Sequence, residues 1–302
     1  DNAVKILWGE TVRKGKREVG KGFVFPEIPL ASVLKELEIA PDVTGGDALW
    51  THRKAEDAEW YFVSTPKGCD FKGTLDFRCN GYPELWDPIT GTVKPVTSTS
   101  DGKRTSVEIE LPKAGSCFVV FRGDKQNSNT IQSLPDEMIS SIELSAPWTL
   151  SFPSGWGAPE KLKITALKPW KDLNISNEGQ AFSGTVTYTT DFKITPKKQG
   201  ERYMLDLGKV DMVAVVSING KPLRPLWAPP YQVDITDMVK SGKNTLTIEV
   251  TSTWFNRLVY DAGQPEGNRK TWTINGPSKD APLRESGLSG PVKINTYTKV
   301  GR

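Results

Sequence analysis

The segment Val216–Val250, VSINGKPLRPLWAPPYQVDITDMVKSGKNTLTIEV, predicts the fold of the C-terminal half of the chain. Two strand-like runs, VSI and NTLTIEV, enclose it, and Asn219-Gly220 is a strong signal for a tight hairpin turn. The LWAPPY sequence between them has two interpretations: an aromatic surface that grips a ligand, or a lid that closes one end of a β-sandwich. Prolines stiffen a crossing segment and remove donors that would need partners, which favours a lid with Trp227 and Tyr231 over the core.

Further strand-like runs lie on the N-terminal side of this segment. In GTVTYTTDFKI the apolar residues alternate, which places Val186, Tyr188, Phe192 and Ile194 on one face of a strand. RYMLDLG and MVAVVSING follow at the spacing of strands and turns that is typical of a jelly roll. We therefore predict a jelly roll over residues 145–302.

A second β region precedes the jelly roll. The runs AEWYFVST, GTLDFRCN, TSVEIELP and SCFVVFRG are short and apolar or alternating, and turn-rich segments separate them. They predict a compact antiparallel β-sandwich over residues 46–124. The following residues, 125–144, include the polar stretch NSNTIQSLPD and are predicted to be a linker. The fold class is therefore mainly β, with a sandwich followed by a jelly roll.

The first 45 residues have a different pattern. They contain a short predicted strand, Phe23 to Phe25, and then a predicted helix. The apolar residues of this helix recur at the spacing of one helix face: Leu30, Val33, Leu34 and Leu37. A lone strand–helix unit cannot bury both of its faces. Residues 1–45 are therefore predicted to be the tail of an α/β domain that lies upstream.

Composition limits the possible functions. The net charge is +3, from 39 basic and 36 acidic residues, and does not predict nucleic-acid or membrane partners. The single His argues against a His-rich metal site and against a Ser-His-Asp triad. Ten Trp residues suit both large β cores and the stacking of sugar rings. Cys69, Cys79 and Cys117 are expected to be buried thiols, because a continuous strand would hold the first two too far apart to pair.

The motifs resemble those of a known enzyme family. FSGTVTYTTDFKI, LWAPPYQVDIT and SGLSGPVKI (Ser286 to Ile294, as the closing strand) resemble the galactose-binding-like jelly roll of large glycoside hydrolases. GKGFVF, LWTHRKAEDAEWYFVST and FRCNGYPELWDPITG resemble the C-terminal half of glycoside hydrolase family 106, the α-L-rhamnosidases. The resemblance covers nearly the whole chain.

The resemblance implies a role within a larger enzyme. Family members carry their catalytic carboxylates on a (β/α)8 barrel upstream, so no catalytic residue is expected in this chain. The expected partners are that upstream catalytic domain and a plant-type polysaccharide or oligosaccharide, with no nucleic acid and no membrane. The resemblance also implies a secreted or periplasmic location and a structural calcium ion, for which no ligands are assigned.

Two other functions stay open at this point. The chain is either a free-standing carbohydrate-binding protein or a small self-contained glycosidase that uses Glu84 and Asp87 of PELWDP. Glycosidases need two carboxylates at a defined separation across the scissile bond. The alternative for this pair is a turn in which Asp87 bonds its own backbone.

The segment STWFNRLVYDAGQPEGNRKTWT holds the best candidates for a sugar site. Aromatic rings stack on sugars, while amide, carboxylate and guanidinium groups bond their hydroxyls. The carbohydrate-binding candidates are Trp254, Asn256, Arg257, Asp261, Arg269 and Trp272, with Trp227 as a minor one. In the structural alternative, Trp254 extends the preceding strand and Asn256-Arg257 tie the long loop to the sandwich. A third interpretation is that the segment packs this domain against the barrel. His52 and Arg53 are possible accessory residues, with a structural role as the alternative.

Overall fold

The computed structural model describes residues 2–9, 14–122, 136–145, 147–194 and 199–299. The chain divides into two compact units, Asp1–Ile131 and Gln132–Arg302. Both are built mainly of antiparallel sheets, which confirms the predicted fold class. Within the described ranges, no helix has the length and apolar character needed to cross a membrane.

The first unit is a β-sandwich with short helices before it. Its elements are α1 (Asn2–Trp8), β1 (Arg17–Val19), β2 (Gly22–Val24), α2 (Leu30–Glu36), β3 (Val43–Thr44), β4 (Leu49–Lys54), β5 (Glu59–Ser64), β6 (Phe71–Phe77), β7 (Tyr82–Trp86), β8 (Val93–Pro95), β9 (Ser98–Ser100), β10 (Thr105–Leu111) and β11 (Ser116–Arg122). Strands β1 and β2 form a hairpin. The two larger sheets have the strand orders β3-β6-β10-β9 and β4-β5-β11-β7-β8.

The sandwich core forms because each strand alternates between buried and more exposed residues. In β10, TSVEIEL, every second side chain is buried, including Val107 and Ile109. On the facing sheet, Tyr61 of β5 and Val119 of β11 are fully buried. Aromatic rings fill the space between the sheets, with Tyr61 and Phe77 centroids 4.8 Å apart. The period-2 pattern in the sequence is therefore the direct cause of the two-layer arrangement.

The predicted strand and helix of residues 1–45 are both present, as β2 and α2. Neither α1 nor α2 buries any residue. Leu30 is 70% exposed, and Leu34 and Leu37 are each 37% exposed. Within the described residues of this unit, the apolar face that the sequence predicts is therefore largely uncovered.

The second unit is a two-sheet β domain. Its elements are β12 (Asp136–Glu143), β13 (Trp148–Ser151), β14 (Lys161–Ile164), α3 (Asn177–Gln180), β15 (Thr185–Ile194), β16 (Glu201–Asp206), β17 (Lys209–Asp211), β18 (Val213–Ile218), β19 (Lys221–Pro222), β20 (Gln232–Asp234), β21 (Gly242–Thr251), α4 (Phe255–Ala262), β22 (Gly287–Gly290) and β23 (Lys293–Lys299). The sheet orders are β12-β23-β16-β20 and β14-β13-β15-β21-β18-β19, and β17 pairs with β22. The predicted closing strand, Ser286 to Ile294, is thus divided between two strands.

The LWAPPY segment only partly behaves as the predicted lid. Leu226 is 2% exposed, and its backbone exchanges hydrogen bonds with that of Ala214 at 2.7 and 2.8 Å. The Tyr231 ring packs on the core, and its hydroxyl donates to the Met212 carbonyl at 2.8 Å. Trp227, in contrast, is 58% exposed, so the prediction that it covers the core is wrong. The smaller Leu226 seals the core in its place.

Part of the predicted linker belongs to a sheet. Within residues 125–144, the segment Asp136–Glu143 is strand β12, which pairs with β23 over its whole length. It is an edge strand whose Met138, Ile139 and Ile142 are about half exposed. Residues 125–135 of the predicted linker lie outside the described residues.

The cysteines differ in burial. All three are free thiols. Cys79 and Cys117 are buried as predicted, but Cys69 is exposed. The expectation for Cys69 was wrong because β6 begins at Phe71, so that Cys69 lies in the preceding turn and not on the strand.

Candidate functional site

The candidate segment of the second unit begins with a helix, not with an extension of the strand. Strand β21 ends at Thr251, and Trp254 lies immediately before α4. Its ring is 49% exposed and its centroid lies 5.8 Å from that of Trp156. The alternative in which Trp254 continues the strand is therefore wrong. The first turn of α4 instead directs Asn256 and Arg257 into the protein.

Arg257 lies at the centre of a buried charge network. It is 1% exposed, and its Nε donates to Asp261 Oδ2 at 3.0 Å, one helical turn away. A second nitrogen, Nη2, lies 2.8 Å from Asp261 Oδ1. The remaining nitrogen, Nη1, donates to Glu178 Oε1 at 2.9 Å. Burial alone would raise the pKa of Asp261, but the Arg257 guanidinium and Thr271 outweigh it and hold that pKa below its usual range.

Asp261 and Asn256 hold the long loop that follows α4. Asp261 Oδ2 accepts hydrogen bonds from the backbone amides of Lys270 at 3.1 Å and Thr271 at 2.7 Å, and from the Thr271 hydroxyl at 2.7 Å. Asn256 Nδ2 donates to the Arg284 carbonyl and its Oδ1 accepts from the Arg284 amide, both at 2.8 Å. Both ends of the loop are thus bonded to α4.

Three of the predicted sugar-binding residues are therefore structural. Asn256, Arg257 and Asp261 are at most 3% exposed and bond to protein groups. A sugar outside the domain has no access to them, so the alternative of a loop tied to the sandwich is the one that the structure supports. The sequence pattern grouped these residues correctly but gave no sign of which were buried.

The other candidates in this region are at the surface. Trp272 is 76% exposed, and Arg269 Nε donates to the Gln264 carbonyl at 2.9 Å. Lys270 Nζ donates to Glu178 Oε1 at 2.8 Å and lies 5.4 Å from the Trp156 ring centroid. Sequence reasoning did not single out Trp156, Glu178 or Lys270. The GWG sequence around Trp156, in a Gly-rich loop, was the one available signal for them.

His52 is held between two carboxylates on the first unit. Its Nδ1 lies 3.2 Å from Asp42 Oδ2 and its Nε2 lies 3.2 Å from Glu59 Oε2. The ring stacks on Tyr61 with centroids 4.2 Å apart and an interplanar angle of 9°. These contacts fit the structural alternative for His52, whereas Arg53, its neighbour on β4, is exposed.

Glu84 and Asp87 do not have the environment of an acid–base pair. Glu84 Oε2 accepts from the Trp86 indole at 3.0 Å. Asp87 Oδ1 accepts from the amides of Ile89 at 2.7 Å and Thr90 at 3.1 Å. Burial would raise the pKa of Asp87, but these amides outweigh it and keep the pKa low, which opposes a role as general acid. The predicted turn alternative for Asp87 is the observed one.

The described residues contain no carboxylate cluster for the calcium ion that the resemblance implies. Across the described ranges, no group of three or more His, Cys, Asp or Glu side chains lies close enough together to hold a metal. Calcium takes six to eight oxygen ligands, several of them carboxylates in most sites. We therefore assign no metal ligands.

Comparison with known proteins agrees with this architecture. Residues 1–100 match the family model Glyco_hydro_106, alpha-L-rhamnosidase, and residues 167–287 match the glycosyl hydrolase 2 galactose-binding domain-like model. The solved structure of a rhamnosidase from Novosphingobium sp. PP1Y is 33% identical with a TM-score of 0.75, and the match covers 98% of this chain and 28% of that one.

A curated protein of Formosa agariphila, provisionally named a beta-glucuronidase, is 33% identical in a 269-position alignment that covers 78% of this chain and 22% of the relative. The chain therefore spans only about a quarter of the length of either relative. The resemblance predicted from the motifs is confirmed. Residues 1–100 carry the sequence pattern of the family 106 α-L-rhamnosidases, and the second unit contains a galactose-binding-like domain.

Proposed function

We propose that this chain is the non-catalytic, accessory half of a glycoside hydrolase that resembles α-L-rhamnosidases. It braces a catalytic barrel on a separate part of the protein and contacts plant-type polysaccharide, and the whole enzyme acts outside the cytoplasm, secreted or in the periplasm. The observation that carries the proposal is the exposed apolar surface of the N-terminal helices.

Both N-terminal helices need a partner surface. Each has seven residues, and helices this short are unstable in water without tertiary packing. Neither helix buries a residue, although both are rich in apolar side chains. We call these side chains the N-terminal apolar surface: Val4, Ile6, Leu7 and Trp8 of α1, and Leu30 and Leu34 of α2, each at least 37% exposed. An upstream α/β body that covers this surface accounts for both the exposure and the helicity.

The coverage of the relatives supports the same assignment. The match to the Novosphingobium rhamnosidase includes nearly all of this chain but only 28% of that enzyme. Of the carboxylates of the first unit, Asp87 is held in a turn and Asp42 in an ion pair with Arg78. Cleavage of a rhamnoside therefore belongs to residues outside this chain.

Turnover of an aryl α-L-rhamnoside tests this proposal. We expect hydrolysis by the full-length gene product and none by residues 1–302 alone. In the full-length protein, the double change Leu30→Glu and Leu34→Glu should lower stability by at least about 2 kcal/mol, because it places unpaired charges in a buried contact. In the isolated chain the same change should cost less than about 0.5 kcal/mol, as at an exposed site.

The matched control is Ile274→Glu, which alters an 82% exposed apolar residue of the second unit and should leave both proteins unchanged. Rhamnoside hydrolysis by residues 1–302 alone would refute the accessory role.

One observation favours a second function, that of a free-standing carbohydrate-binding protein. Trp227, Trp254 and Trp272 of the second unit are 49% to 76% exposed, which suits the stacking of sugar rings. Calorimetric titration with rhamnose- and galactose-containing glycans tests it. Binding that is lost in Trp254→Ala and Trp272→Ala supports it, and flat titrations with every glycan oppose it.

A further inference from the structure

The outward face of the five-stranded sheet is aromatic. On β5, Tyr61 is fully buried in the core, so its neighbours Trp60 and Phe62 point to the opposite side. Phe118 is on β11, the strand between β5 and β7. Its ring centroid is 5.1 Å from that of Phe62 and 5.9 Å from that of Trp60. The outward face of an antiparallel sandwich is ordinarily polar. This face therefore has a role other than contact with water.

Two indoles border a groove on this face. In the register of the sheet, Phe118 of the central strand β11 lies opposite Trp86 of β7, and Val120 lies opposite Trp60 of β5. The smaller Val120 forms a floor between the larger rings. The resulting groove has a volume of about 380 Å³, within the range of small-molecule sites. We call it the indole groove; its lining includes Ala55, Trp60, Trp86, Phe118, Val120 and Arg122.

The polar groups of the indole groove lie at its rim. The Arg122 guanidinium carbon is 4.8 Å from the Trp86 ring centroid. Arg122 is exposed and belongs to the lining of the groove. The Trp86 indole is itself fixed, because its Nε1 donates to Glu84 Oε2 at 3.0 Å. Asp57 provides a carboxylate in the lining.

This arrangement fits one class of ligand. A pyranose ring presents an apolar face to an aromatic ring and hydroxyls at its edge. An apolar lining leaves an exocyclic hydroxyl without a partner, and burial of an unpaired hydroxyl is costly. A methyl group at that position is instead favoured. We infer that the indole groove binds a 6-deoxyhexopyranose residue of a polysaccharide, stacked on an indole with ring hydroxyls toward Arg122 and Asp57.

The choice of a rhamnoside as probe rests on the proposed function, whereas binding is measured on residues 1–302 alone. The probes are methyl α-L-rhamnopyranoside and methyl α-L-mannopyranoside, which differ only in the hydroxyl on carbon 6. Indole proton shifts in NMR titrations give the dissociation constants. We expect saturable binding of the rhamnoside, with the mannoside at least tenfold weaker.

Variants locate the binding. Trp60→Ala removes one wall and should weaken rhamnoside binding at least tenfold. Ala55 is exposed, so Ala55→Trp fills the groove without the loss of any packing contact. This variant should stay folded and should no longer bind the rhamnoside. Tyr82→Ala is the matched control, since Tyr82 lies on the same strand as Trp86 and is 46% exposed but is not part of the lining. It should bind as the unaltered chain does.

Three results would overturn the inference: binding of neither glycoside, equal binding of both, or unchanged binding in Ala55→Trp. Absence of binding would show that the groove is not a sugar site. It would leave the accessory role standing, because that role is measured by turnover in the full-length protein.

Discussion

The Arg257 guanidinium and the Asp261 carboxylate form an ion pair across one turn of α4, at 2.8 Å, with each side chain 1% exposed. Such a pair is costly to desolvate, and its geometry and extra hydrogen bonds offset that cost. Here Thr271 and Glu178 supply the extra bonds. The network therefore fixes a loop of more than twenty residues to the second unit.

Removal of Arg257 should show how costly an unpaired Asp261 charge is inside the protein. Arg257→Leu leaves the Asp261 charge buried and should lower the free energy of unfolding by about 3–5 kcal/mol. Urea denaturation followed by tryptophan fluorescence measures it. The control is Lys72→Leu, which breaks a pair with Glu110 whose side chains are 78% and 71% exposed, and should leave the free energy of unfolding nearly unchanged. A loss below 1 kcal/mol in Arg257→Leu would contradict the buried network.

Acid should weaken the same network. Burial by itself raises the pKa of Asp261. Arg257 and Thr271 together outweigh burial and hold that pKa below its ordinary 3.8. Because the folded-state pKa is the lower one, the carboxylate stabilises the fold fully above 3.8, and this contribution is lost as pH falls through the folded value. Unfolding free energy from urea titrations between pH 5 and about pH 2 should therefore fall. Asp261→Asn should give a flatter profile, and an equally steep one would refute this assignment.

Much of the fold was predictable from short-range pattern. Alternation in GTVTYTTDFKI and TSVEIELP predicts strands because the period of two is local and visible in the sequence. The boundary near Asp136 was missed because β12 is an edge strand whose partner, β23, lies more than 150 residues away in the chain. Pairing over that separation leaves no local trace in composition.

The residues of the candidate site could be predicted from the sequence, but the burial of each residue could not. The residue types in the segment from Trp254 to Trp272 suit a sugar and suit a buried polar network equally well. The choice between them depends on Glu178, which bonds Arg257 from 79 residues away. The indole groove was missed for a related reason, because its two indoles are on different strands and only the sheet register brings them to one face.

Gly287 should be sensitive to any side chain. Its φ is +93°, a conformation that favours glycine, and an added Cβ would overlap the indole nitrogen of Trp170. That nitrogen donates to the Tyr188 hydroxyl at 2.6 Å, deep in the core. Gly287→Ala should cost about 2–5 kcal/mol from strain and overpacking together. Thermal and urea unfolding check this value.

The control for that change is Gly267→Ala, where a Cβ meets nothing within 4 Å. It should alter stability by less than about 0.5 kcal/mol. Equal effects of the two alanine variants would show that the close approach of Gly287 to Trp170 is not the cause.

Thiol reactivity should separate the cysteines. Burial raises the pKa of both Cys79 and Cys117 to about 12, so their thiolate forms are scarce at neutral pH. Cys69 is exposed and accessible to reagent. A colorimetric disulfide reagent should modify one thiol per native chain quickly and three in denaturant. Cys69→Ser should remove the fast phase, and persistence of that phase would disprove the assignment.

The pairing of β12 with β23 has a consequence beyond stability. Asp136, at the start of the first strand, lies opposite Lys299, at the end of the last. Opposed residues of antiparallel strands have Cα atoms about 5 Å apart, so the first and last described residues of this unit lie side by side. A domain with adjoining ends can be spliced into a surface loop of another protein without displacement of the host chain. The second unit thus has the geometry of a transferable cassette.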